Sequence, residues 1–214
     1  MTSLSLAGGH PTLADRLLSR SPAVDLVLVA AGAALMALVA QFQIPSWPVA
    51  LTAQTVAVFL VGSFLGCLRG VLSMTLYVLI GALGLPVFGR GSFGVEVLLG
   101  PSGGYLLGFI LAAAVTGWAA QRSWDRSLPG ALLSFSVGTA AVFVLALPWY
   151  ASVMHLSLTD ALAGGLYPFL GGAVAKALVA ALIVTFAWRK IARNDSLAAE
   201  RDFIGTAVET TDGR

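Results

Sequence analysis

Six apolar stretches, at approximately residues 24–41, 53–68, 70–85, 103–121, 130–149 and 168–189, constrain this chain more than any other feature. Runs of that length must be removed from water. A membrane span needs about 20 predominantly apolar residues, with 17 near the lower limit. Composition decides between a soluble core and lipid: 58% of the 214 residues are hydrophobic and only 10% charged, against roughly a quarter charged in an ordinary soluble domain. The expected fold is an all-α integral membrane protein, a six-transmembrane-helix bundle. The second and third stretches are short and meet at G-C-L-R-G, where Gly66 and Gly70 permit a tight reversal, so they read as a helical hairpin. Residues 1–22 read as a polar tail, 23–191 as the membrane domain, and 192–214 as a charged tail without fixed structure.

The basic residues orient this arrangement. Arg16, Arg20, Arg69, Arg122, Arg126, Arg189, Lys190, Arg193, Arg201 and Arg214 all fall on one side of the six stretches, and only Arg90 falls on the other. That bias places both termini in the cytoplasm. Trp47, Trp118, Trp149 and Trp188 sit at span ends and Trp124 in a loop, as an aromatic belt requires. Arg16 and Arg20 before an apolar run also raise a signal peptide. The run is followed by Q-F-Q-I-P rather than a polar mature start, so it reads as a retained first span. A net charge of +2, spread over short loops and a tail, offers no nucleic-acid face. Cys67, the single cysteine, permits no internal disulfide.

Between the third and fourth stretches lies a glycine-rich outer loop, with eight glycines from Gly81 to Gly104 and with Pro86, Pro101 and Arg90 among them. Irregular backbone at membrane depth is tolerated only where protein buries it or where it lines a cavity. The loops at 42–52, 86–102 and 150–167 carry aromatics, prolines and glycines with almost no charge, and read as caps over a cavity. Lys176 lies about 12 Å into the sixth stretch at 1.5 Å per residue. A cation at that depth costs about 2.5–3.5 kcal/mol on insertion scales and marks a functional site unless it snorkels or finds an acid. No Asp or Glu lies within the six apolar cores, so a ligand is left to supply the anion. Arg90, between two glycines, is a second candidate for a carboxylate, with a solvated loop arginine or a pair to Glu96 as the plain alternative.

Other residues give the expected pocket its shape. Thr52, Gln54 and Thr55 stand at the outer start of the second stretch, where they either cap the helix or face the pocket. Tyr77, Phe88 and Tyr105 bracket the glycine loop as aromatic walls or as packing. In the first stretch Ala30 and Ala34, and Ala33 and Ala37, are four apart, a spacing that suits close helix approach to the rest of the bundle or to another membrane subunit. No G-x-x-x-x-G-K-[ST] loop is present, so the chain does not hydrolyse ATP by that device. No G-x-S-x-G elbow accompanies His155, and no metal or cofactor site is expected.

G-A-L-G-L-P-V-F at 81–88, G-P-S-G-G-Y-L-L-G-F at 100–109, T-A-Q-T at 52–55, Tyr77 with Gly81, and the G-x-x-x-K-A-L-x-A run ending at Ala180 together resemble the BioY family. These are the biotin-binding specificity (S) subunits of energy-coupling factor (ECF) transporters. The resemblance spans about residues 24–188. It implies six helices, an outward-facing pocket with the loop between helices three and four as its lid, and a first helix that meets a transmembrane coupling subunit carrying cytoplasmic ATPases. It makes the first-helix alanines the candidate partner interface and matches Lys176 to a lysine of the family's sixth helix. One position departs: the family often shows P-G-D-x-x-K, and here Ala173 stands where the aspartate would be. For biotin, Lys176 or Arg90 would meet the carboxylate, Gln54 the ureido ring, and Phe88 with Tyr105 the apolar remainder. An S component for another vitamin, or an autonomous biotin facilitator, are the alternatives.

Overall fold

The computed structural model describes residues 9–19, 21–44 and 51–212. Expectations that fall on Arg20, Trp47 and Arg214, and on most of the 42–52 loop, lie outside the described residues. In chain order the elements are α1 (Leu13–Leu17), α2 (Pro22–Ala40), β1 (Gln43–Ile44), β2 (Leu51–Thr52), α3 (Gln54–Leu65), α4 (Cys67–Ala82), α5 (Val95–Leu99), α6 (Gly103–Gln121), α7 (Leu128–Met154), α8 (Leu158–Gly165) and α9 (Tyr167–Asp212). β1 and β2 form a two-residue antiparallel bridge; the rest is helical architecture.

Among the described residues α2, α6, α7 and the stretch Tyr167–Leu197 of α9 are long and apolar enough to cross a membrane, while α3 and α4 are shorter apolar helices of 12 and 16 residues. The ends are set by local chemistry. Ser21 caps α2 by accepting from the Val24 amide at 3.2 Å, with Pro22 at the first helical position. Ser127 caps α7 in the same way, again ahead of a proline. Gly66, at φ +86°, is the one residue between α3 and α4. Side chains rarely adopt that conformation, so the hairpin expected from G-C-L-R-G turns on this glycine.

α6 is the central helix, packed on α3, α4 and α7. It is buried on most of its circumference, and Gly104 and Gly108 let it approach the α7 backbone beside Val142, Ala146 and Trp149. Backbone proximity of this kind substitutes for a hydrophobic driving force that lipid does not provide. Large apolar side chains such as Leu26, Val27 and Leu38 on α2, and Val174, Leu182 and Phe186 on α9, point outward.

Three expectations need correction. The N-terminal segment is not a free tail: the His10 amide donates to the Gln121 carbonyl at 2.7 Å, and α1 packs on α3. The C-terminal segment continues α9 to Asp212, because L-A-A-E-R is made of strong helix formers with no proline to stop the helix. The 150–167 segment is largely helical, α7 running to Met154 and α8 following with its own Ser157 cap. His155 ends α7 in the left-handed region at φ 53°.

The alanine face of α2 also divides. Val29, Gly32, Ala33, Met36 and Ala40 form its inward stripe, the i, i+3, i+4 spacing of a helix face. Ala33 is therefore core and closed to a partner, Ala37 is half-buried, and Ala30 and Ala34 are exposed.

Where α2 begins and α4 begins, charge is neutralised internally. The Arg69 guanidinium, 3% exposed, reaches Asp15 of α1 at 2.9 Å and Asp25 of α2 at 2.6 Å. Nearby, the Trp188 indole donates to buried Asp125 at 3.0 Å, and Arg126 lies over the Trp188 ring at 4.7 Å. Trp118 and Trp124 meet edge to face at 5.8 Å, with Arg122 over Trp118. This end of the bundle is a belt of indoles and cations.

Candidate functional site

At the opposite end, where α3, α6 and α9 begin, the helices diverge around a cavity of about 260 Å³. That is a little below the roughly 300–1,000 Å³ of pockets for drug-sized ligands, and fits a small solute. α3 contributes Gln54, Thr55 and Phe59; α6 contributes Tyr105, Leu106 and Phe109; α7 contributes Thr139 and Phe143; α9 contributes Phe169, Ala173 and Lys176. Phe88 and Ser92 come from the loop between α4 and α6. Phe59 stacks on buried Phe135 at 5.0 Å, closing the floor.

Lys176 carries the only charge among these lining residues. It is half-buried, and its stem runs back past Gly172 toward the start of α9, as helix side chains tilt. Among the described residues no carboxylate lies within ion-pair distance of it. The cation expected from hydropathy therefore faces a hollow rather than a protein acid.

Gln54 resolves the choice between cap and pocket. It is buried, lines the cavity, and its Nε2 donates to the Tyr77 hydroxyl at 3.1 Å. Thr52 also lines the cavity, and its Oγ1 accepts from the Gln54 amide at 3.3 Å in the turn that leads into α3. Tyr77 is fully buried behind the wall and touches no part of the cavity surface; it orients Gln54 and meets the Phe88 ring edge-on at 5.5 Å. Tyr105 lines the cavity beside Phe143 and Phe169, and its hydroxyl donates to the Gly165 carbonyl at 2.6 Å, fixing the α8–α9 junction to α6.

The glycine-rich loop folds over this cavity. Phe88, 1% exposed, is its inward plug. Gly81 on α4 makes that possible, since a methyl there would run into the Phe88 ring. The Gly94 amide donates to the Gly81 carbonyl at 2.8 Å, and the Trp149 indole donates to the Gly100 carbonyl at 3.0 Å, anchoring the far side. Arg90 is a correction. It sits in a left-handed turn, φ 58°, between Gly89 and Gly91, is exposed, and does not line the cavity. Phe88 is buried while Arg90, two residues on at the left-handed position, is exposed. Nor does Arg90 pair with Glu96 among the described residues.

The α7 wall was not foreseen in the sequence. Thr139 is a hydroxyl inside an apolar span, and polarity at that depth was the available signal; its Oγ1 donates to the Phe135 carbonyl at 2.8 Å. Phe143 and Phe169 carried no such mark. Ala173, the departure from the family pattern, stands one helical turn from Lys176 on the cavity wall, so the missing aspartate bears directly on this site.

Comparison with known proteins gives these features a frame. The chain is 39% identical to the Biotin transporter BioY of Thermotoga maritima over 70% of its own length and 87% of that protein. It is 32% identical to Biotin transporter BioY2 of Lactococcus lactis subsp. cremoris, covering 72% and 85% respectively, and 32% identical to the Biotin transporter BioY of Rhizobium etli, covering 74% and 90%. A crystal structure of the S-component for biotin from an ECF-type ABC transporter superposes with a TM-score of 0.65 over 75% of this chain and 88% of that one, at 23% identity, which shows a shared fold. The BioY family model matches residues 12–193, from the Thr12 cap of α1 well into α9, and this chain belongs to the BioY family.

Proposed function

We propose that this protein is the biotin-capturing S component of an ECF-type transporter: it binds biotin in the Lys176 cavity and releases it to the opposite side when an ATP-driven partner acts on it. In this reading the protein is not itself an enzyme and carries no cofactor. It sits in the bacterial cell membrane with six spans, the α3–α4 hairpin supplying the two short ones, and with both termini cytoplasmic, as the basic residues around Arg69, Arg122 and Arg189 favour. The partners are a membrane coupling subunit and ATPase subunits. Of the first-helix alanines Ala30 and Ala34 are fully open to such a subunit and Ala37 partly so, while Ala33 is not.

The observation that carries the reading is an ammonium with no counter-ion among the described residues, at the wall of an aromatic cavity that also offers the Gln54 amide, in a chain of this family. A carboxylate supplies the missing anion, the amide suits a polar ring, and Phe88, Tyr105, Phe143 and Phe169 suit an apolar body. The test is equilibrium binding of labelled biotin to the purified protein, challenged with thiamin, riboflavin and lipoate. Displacement by biotin alone is expected; displacement by another vitamin would reassign the substrate. Uptake into cells without any coupling component would remove the ATP-driven partner from the account.

A further inference from the structure

The loop over the cavity is held at its plug by one side chain that no motif singled out. Gln41 follows α2 directly, and its Nε2 donates to the carbonyls of Ala37, Val87 and Phe88 at 2.9, 3.3 and 3.2 Å. Its Oε1 accepts from the Gly91 amide at 2.9 Å. The carboxamide thus bridges its own helix and both flanks of the Phe88 turn, using its donor and acceptor ends together. Within the turn the Phe88 amide donates to the Ser92 carbonyl at 3.0 Å and the Gly91 amide to the Phe88 carbonyl at 3.1 Å, so the turn keeps its own shape and Gln41 ties it to α2. Around it Gly84, Gly91 and Gly94 adopt positive φ, and a Cβ at any of them would meet open space. Phe88 reaches the cavity only while this turn keeps its place.

We propose that Gln41 is a positioning residue for the site, a clasp that keeps the Phe88 turn seated and so sets how often the cavity opens. The clasp is built from an exposed amide, whose bonds are individually modest in water. It is strong enough to bias the turn closed and weak enough to be broken in each binding cycle. Opening swings the 87–91 turn away from α2, while the Trp149 bond to Gly100 keeps the far side of the loop in place.

The full-length chain, with Cys67→Ser removing its one thiol and Thr139→Cys placing a reporter on the α7 wall, would be treated with a charged, membrane-impermeant methanethiosulfonate. Labelling of the reporter reads opening without any ligand. Gln41→Met keeps length and removes every bond to the turn; it should raise the labelling rate about tenfold with an unchanged unfolding temperature. Gln41→Lys retains donors for the Val87 and Phe88 carbonyls but loses the acceptor for Gly91, and should label at an intermediate rate. Equal labelling of the parent and the methionine variant overturns the clasp. So does faster labelling that merely tracks a lowered unfolding temperature in both variants. Biotin dissociation, measured with Thr139 intact, tests the link to the proposed function: Gln41→Met should speed it by a similar factor. Faster labelling with unaltered biotin dissociation would uphold the clasp and count against biotin as the occupant beneath it.

Discussion

Two cations lie within the bundle, and their surroundings are opposite. Arg69 meets two aspartates at 2.9 and 2.6 Å and is sealed from solvent with them. Lys176, at the other end, has aromatic rings, an amide and a hollow but no acid among the described residues. A charge in a low-dielectric interior must find an opposite charge or stay costly. Arg69 has its anions built in, so it is an internal tie between α1, α2 and α4. Lys176 leaves its anion to be brought from outside, which makes it a site.

That contrast is most easily broken at Arg69. Arg69→Met would take the guanidinium from Asp15 and Asp25, and removing one partner of a buried pair costs about 3–5 kcal/mol. The variant should be recovered poorly from membranes or unfold at a markedly lower temperature. An unchanged unfolding temperature in detergent would show that the tie is not structural. Lys176→Ala should do the reverse. It removes a charge that has no acidic partner among the described residues, so stability should hold or rise, while biotin affinity falls by about a hundredfold, the upper range for a hydrogen bond to a charged group. A folded Lys176→Ala protein with parental affinity, read by calorimetry, would take the lysine out of the site.

The same contrast explains what the sequence could and could not reveal. Lys176 was legible because a cation inside an apolar run is anomalous without any knowledge of its neighbours. Arg69 was read as an ordinary loop cation, since Asp15 and Asp25 lie 54 and 44 positions away and nothing local announces that α1 folds back to meet it. Gln54, Phe88 and Tyr105 were visible as polar or aromatic residues beside helix breakers, and all three line the cavity. Arg90 misled because charge was legible and direction was not: a left-handed turn decides where that side chain points. Thr139, Phe143 and Phe169 are brought in by packing of α7 on α6 and of α9 on α3 and α7, a tertiary fact that hydropathy does not encode. The hairpin at Gly66 was readable for the opposite reason, because a one-residue reversal leaves glycine little competition.

Another buried ionisable group sharpens the comparison. Asp125, in the α6–α7 connection, is fully buried, and burial pushes its carboxyl up to about 6 despite the Trp188 indole and the nearby Arg126. The folded value exceeds the ordinary 3.8, so the folded chain holds this proton more tightly than the unfolded one. Its stabilising contribution is then complete below about pH 4 and is lost as pH rises through 6. Asp125→Asn keeps an acceptor for the indole and removes the ionisation. It should be more stable than the parent at pH 7.5, by roughly 2 kcal/mol, with the gap closing toward pH 4.5. Parallel thermal unfolding curves for the two proteins across that range would show that the carboxylate is satisfied as an anion, like Asp25, and not strained.

The smallest expected effect is the most selective. Tyr77 is as buried as Arg69 and sits behind the cavity wall, and its hydroxyl accepts from Gln54 Nε2. Tyr77→Phe preserves the ring and its edge-on contact with Phe88 and removes one hydrogen bond, worth about 1 kcal/mol. Because the packing survives, the unfolding temperature should move little. The cost should appear in the site: Gln54 loses the partner that fixes its amide, and biotin should bind about fivefold more weakly. Gln54→Leu would lose the amide altogether and should weaken binding further. If Tyr77→Phe bound biotin with parental affinity while Gln54→Leu did not, the amide would be held by the ligand alone. The hydroxyl would then belong with Arg69, among groups that secure the fold, rather than with Lys176, among those that wait for a guest.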